Sequence, residues 1–265
     1  AEMEASFGGV LRFVDGGPGD SVVNLHDGGI LRLSGNSNGG DAQITLHGEG
    51  STLLVEEGAN AGRAKIAAGA GSSVLFQGGG EGRDASITIQ NGATLDISST
   101  GLGSVPVGSL EGSGLVKLGD RTLEVGALGR STTFNGTIEG SGGALVKVGT
   151  GTLTLGGTNT YTGGTQILGG LLEIDSNARL GSGGLLIDGG GIRFGAAFNN
   201  LRTFGIGNSG ATIDTNGFDV TFSHGLTGPG GVTSFGVLTK TGAGKLTLTG
   251  ENIYRGGTRI EEGTI

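Results

Sequence analysis

The sequence predicts an all-β chain wound as a parallel β-helix with about 21 residues per coil, and three observations predict it. Apolar residues recur at a fixed spacing: Phe13, Leu33, Val55, Phe76 and Ile97 are separated by 20, 22, 21 and 21 residues. A second set runs in step, with Val23, Ile44, Ile66 and Ile87 separated by 21, 22 and 21. Within each unit Val, Ile and Leu alternate with Thr, Ser, Asp and Lys, the period of a half-buried strand.

The units share one grammar. Ile44-Thr45-Leu46 leads through His47 to Gly50 into Leu53-Leu54-Val55. Ile66-Ala67-Ala68 leads to Val74-Leu75-Phe76, and Ile87-Thr88-Ile89 leads to Leu95-Asp96-Ile97. Short strands are thus joined by turns bearing Gly or Asn, and one strand face points inward. The period is too short for a propeller blade and lacks the helical spacing of ankyrin or tetratricopeptide units. Stacked coils at about 4.8 Å would make roughly a dozen turns and a rod on the order of 60 Å long. Only Asn177-Ala178-Arg179-Leu180 reads as a helical turn. We expect one continuous solenoid, with short repeats over 1–110 and longer ones over 111–265.

Composition narrows function more than fold. The 265 residues include 63 glycines and 3 prolines, and the glycines punctuate strands rather than signal disorder. A net charge of -8 disfavours nucleic acid or an anionic membrane surface as partner. Without cysteine there is no disulfide frame, thiolate metal site or cysteine nucleophile. No apolar run is long enough for a membrane-spanning helix. Nothing from Ala1 to Val10 reads as a signal peptide, so any export signal is expected outside this segment.

The second half carries a sharper repeat. Leu145 to Leu172 and Leu238 to Ile265 align without a gap at an offset of 93, with 15 of 28 positions identical. The shared residues, in first-copy numbers, are Leu145, Lys147, Gly149, Gly151, Leu153, Thr154, Leu155, Gly157, Asn159, Tyr161, Gly163, Gly164, Thr165, Ile167 and Gly170. A worn third copy is expected from Leu115-Val116-Lys117-Leu118-Gly119, without the Asn-x-Tyr part. The two clear copies closely resemble the passenger-associated transport repeat of autotransporters. Phe134-Asn135-Gly136 and Ala211 to Gly217 are similar to the segments flanking it.

The resemblance implies a type V secreted passenger with the right-handed, single-stranded, pectin-lyase-like form of the solenoid. It implies a bacterial cell-surface or secreted stalk with a structural or adhesive role, whose repeats assist outer-membrane translocation. The implied partners are its own C-terminal β-barrel translocator and host surface or matrix molecules or other bacterial cells. Direct membrane insertion of this segment is not expected. The second copy stops at Thr264-Ile265, where the first continues through Leu172-Glu173-Ile174-Asp175, so a fragment without its translocator is expected.

Candidate chemistry is sparse. Asp20, Asp41, Arg63 and Asp84 occupy one turn column, which suits a cation, a lyase-like cluster, or weak surface ion pairs. His26 and His47 should stack on the outward face, with Asp27 and Glu49 as the nearest further ligands, and His224 stands alone. Gly79 to Asp84 matches the start of a calcium-binding nonapeptide, but its apolar residue falls one place late, at Ile87, and the unit does not recur. Asn159 with Tyr161, and Asn252 with Tyr254, read as turn ladders, with the tyrosine at the coil edge and its hydroxyl wet. No carboxylate pair stands out at a strand centre, where acid–base chemistry needs it. The expectation is therefore no catalytic, metal or cofactor residue and no enzyme. A β-helical polysaccharide lyase or hydrolase is the alternative, and a phage tailspike a weaker third.

Overall fold

The structure, a computed structural model, describes residues 1–200 and 202–265. Among the described residues every strand pairing is parallel, and strands adjacent in space lie one coil apart in sequence. The chain passes three walls per coil. The first wall has thirteen strands, from Glu2–Ser6 to Thr258–Ile260. The second begins as seven strands, from Val10–Gly16 to Thr137–Glu139. It is interrupted, then resumes at the same point in the coil as Asn199–Asn200, Val220–Phe222 and Leu246–Leu248. The third wall has seven strands, from Ser104–Val107 to Leu226–Thr227. Before Ser104 that side is made of glycine-rich turns bridged through Asn38, Asn60 and Glu81.

The first expected column forms, and the second forms as far as Phe76; a bulge between Asp96 and Ser99 breaks the register at Ile97, which is nonetheless buried. Val23, Ile44, Ile66, Ile87 and Leu110 are successive partners on the first wall, and none is more than 1% exposed. Phe13, Leu33, Val55 and Phe76 are successive partners on the second. A strand such as Gln43–His47 alternates exposed, buried, half-buried, buried and exposed residues, because side chains switch faces at each step. Each inward Ile or Leu stabilises its coil by roughly 1.5–3 kcal/mol, and only when a neighbouring coil covers it. Aromatic rings widen the later core. Phe204 meets Phe222 edge-on at 5.0 Å, and Phe194 meets Phe222 at 5.9 Å.

The interruption of the second wall falls where the first long repeat lies. There the chain runs through Asn159–Tyr161 without a strand, and one coil later through a 3-10 turn at Asn177–Leu180, the helical turn expected from sequence. Arg202 reaches back to this turn and donates to the carbonyls of Gly181 at 2.8 Å and Gly183 at 3.1 Å.

Candidate functional site

The turn column of charges is a solvated ion pair. Arg63 grips Asp41 through both guanidinium arms, Nε to Oδ1 at 2.8 Å and Nη2 to Oδ2 at 2.6 Å. The pairing holds the Asp41 carboxyl below its ordinary range and raises the Arg63 guanidinium, with both groups in water. Arg83 pairs instead with Glu81, inside the calcium-like segment. His26 and His47 stack as their spacing requires, with ring centres 4.7 Å apart and planes 7° from parallel. Among the described residues no three His, Cys, Asp or Glu side chains gather as a metal site.

One charged column escaped the sequence reading. Glu173, Arg193 and Asp214 are register partners towards the ends of three successive first-wall strands. Their offsets of 20 and 21 residues were the available signal. Arg193 Nε donates to Asp214 Oδ2 at 2.7 Å, and its Nη1 lies 4.0 Å from Glu173 Oε2. Asp214 also accepts the Asn216 amide at 2.9 Å. The arginine thus pairs closely with Asp214 and lies within ion-pair range of Glu173, and the column works as an inter-coil ladder.

Each of the two long repeats buries a lysine. Lys147 lies between Val125 and Ile167 in an inward column and is 1% exposed. Its methylene stem packs with these aliphatic neighbours, and its ammonium turns into the corner after the strand. There it donates to the carbonyls of Val148 (2.6 Å), Gly149 (3.2 Å) and, in the next coil, Gly169 (3.1 Å). Burial pushes the Lys147 ammonium down to about 8. Lys240 repeats the arrangement with Thr241 (2.7 Å), Gly242 (2.6 Å) and Glu262 (3.1 Å), and burial lowers its ammonium too. The sequence showed these lysines as shared, in phase with Leu145 and Leu238, but gave them no role.

The other shared residues also fasten coils. Asn159 accepts the Ile138 amide at 2.8 Å from the coil before and donates to Arg179 O at 2.6 Å in the coil after. Asn252 likewise accepts the Leu226 amide at 2.9 Å. The tyrosine expectation is overturned for Tyr161. It is fully buried, and its hydroxyl bonds Thr165 Oγ1 at 2.6 Å rather than water. The next coil lies over the ring, since a Cβ at Gly181 would stand 3.0 Å from Tyr161 Cδ2. Burial raises the phenol to about 12. Tyr254 makes the same 2.6 Å bond to Thr258 while only half-buried. Tyr161→Phe should lower stability by about 1 kcal/mol, the loss of one buried hydrogen bond, read as a lower urea midpoint at unchanged slope.

The worn third copy does not superpose on this pattern. Val116 and Leu118 point inward there, and Lys117 lies half-exposed in the outward column between Asp96 and Glu139. The alternation is inverted relative to Leu145 and Lys147, and no cage can form. The two true copies also differ in placement. The Lys147 strand belongs to the third wall and the Lys240 strand to the first, so the repeat has turned by one wall about the axis.

Comparison with known proteins agrees with this geometry. The family model of the passenger-associated transport repeat matches residues 145–174 and 238–265. The chain is 34% identical over 154 residues to the adhesin BmaC autotransporter of Brucella suis biovar 1 (strain 1330). That match covers 57% of this chain and 4% of the relative, so the chain spans a small part of the relative's length. No solved structure matches. The chain is a parallel β-solenoid that carries two passenger-associated transport repeats in its wall and is similar over more than half its length to part of an autotransporter adhesin.

Proposed function

We propose that this chain is a non-catalytic, surface-displayed or secreted stalk of an adhesive passenger, and that its two repeats assist outer-membrane passage by strengthening coil stacking. The observation that carries the reading is where the polar fasteners sit. In both copies the Lys, Asn, Tyr and Thr of the repeat are joined by hydrogen bonds that cross coils or brace the corner between them. Stacking releases free energy coil by coil, and such release biases an emerging chain outward without a nucleotide fuel. The adhesive part rests on the likeness to the BmaC adhesin autotransporter. The expected partners are a C-terminal barrel translocator and molecules of host or bacterial surfaces. The Glu173–Arg193–Asp214 column, whose arginine is engaged by the acids on either side, favours a scaffold over a lyase.

Deleting 145–172 from the parent open reading frame tests the transport role. Surface display, scored by protease accessibility on intact cells, should fall several-fold while total expression in a protease-deficient host is maintained. Deleting the single coil 44–65 is the control and should cost less. Equal display in both deletions refutes the role.

A further inference from the structure

We propose that Lys147 and Lys240 are latches between successive coils, so that the coil bearing each lysine and the coil after it open and close as one unit. The proposal rests on the cage geometry and stands apart from any role in transport. An ammonium has three donors. Lys147 places two on its own corner, at Val148 O and Gly149 O, and the third on Gly169 O, 22 residues later. Lys240 divides its donors the same way, with Glu262 O also 22 residues later. Among the described residues no backbone amide donates to the carbonyls of Val148, Gly149 or Gly169.

The coil before the lysine closes the cage from its other side. A Cβ at Gly126 would stand 3.3 Å from Lys147 Nζ, and one at Gly170 would stand 2.9 Å from it. Three consecutive coils therefore converge on a single charge. In the second copy, a Cβ at Gly263 would stand 2.8 Å from Lys240 Nζ. Ordinary coils hold their neighbours by apolar area and a backbone ladder, which weaken gradually as a coil frays. A latch behaves differently. When the later coil lifts, the ammonium loses an acceptor, the Val125–Lys147–Ile167 column opens, and the corner carbonyls share fewer donors. A one-residue slip would turn the lysine outward, so the latch also selects one register. Lys65 and Lys245 are exposed and have no such cage. Because the two copies sit on different walls, the latch is carried by the repeat itself and not by one side of the rod.

Amine labelling and amide exchange on the full chain test this. At pH 7.5 an acylating reagent should modify Lys65 and Lys245 at the solvent rate and Lys147 at least 100-fold more slowly. Lys147→Met should accelerate amide exchange at least tenfold over both 144–147 and 164–174, with 22–47 changed less than twofold. Acceleration confined to 144–147, or labelling of Lys147 within tenfold of Lys65, overturns the latch. Should the variant fail to fold, the unmodified chain decides. Amine labelling at Lys147 and amide exchange over 164–167 must then follow one opening rate, and rates more than tenfold apart overturn the proposal.

Discussion

Lys147→Ala is expected to destabilise the chain by about 3–5 kcal/mol, among the largest effects of any single substitution here. The variant removes the donor to three carbonyls and the methylenes that pack against Val125 and Ile167. Lys147→Met keeps most of the volume, so the difference between the two variants separates lost packing from lost hydrogen bonds. The wild-type protein should also show a pH signature. The folded ammonium is depressed to about 8 from 10.5, so between these values the unfolded chain binds more protons than the folded one. Stability contributed by this residue must therefore rise from pH 8 to 10.5 and level off above. Below pH 8 the lysine is charged in both states and its contribution is flat. Urea midpoints measured across that window should rise in the wild type and rise less in Lys147→Met. A falling midpoint in the wild type alone would contradict the assignment.

Gly149→Val is expected to cost on the order of 4 kcal/mol, from two sources that add. The glycine has φ of +69°, a left-handed conformation that a β-branched residue adopts only at about 1–2 kcal/mol. Its Cβ would also stand 2.0 Å from Gly126 O and 2.9 Å from Gly126 C, backbone atoms of the coil before that have no room to withdraw. Gly184→Ala is the matched control. A Cβ there meets nothing within 4 Å and φ is not left-handed, so the change should be neutral or stabilise by up to about 1 kcal/mol. Thermal melts of both variants would settle the contrast, and similar losses would show that glycine content, not the cage corner, sets stability.

The sequence made the columns legible because alternation and coil length are both set by backbone geometry. A residue such as Ile66 must point inward if Ile44 does, and the register confirms it. The same logic says less about a polar residue in an inward place. Lys147 and Lys240 fall in phase with the inward Leu145 and Leu238, but only the structure shows their stems entering the core and delivering the charge to a ring of carbonyls. Tyr161 read as an edge residue because sequence does not show that the next coil closes over its ring. The Glu173–Arg193–Asp214 ladder was missed because its members are far apart in sequence and fall beyond the regular short repeats. The break in the second wall was equally hidden. It depends on Asn159 satisfying backbone groups in two neighbouring coils, which lets that stretch do without a strand.

The shift of the second repeat to another wall bears on how such a molecule lengthens over generations. An inserted stretch need not match a whole number of windings, because the corner chemistry travels inside the stretch and is accepted on whichever side it lands. Duplication of such a stretch can therefore add a non-integral number of windings, and the growing fibre keeps its girth while redistributing its outward-facing surface around the circumference.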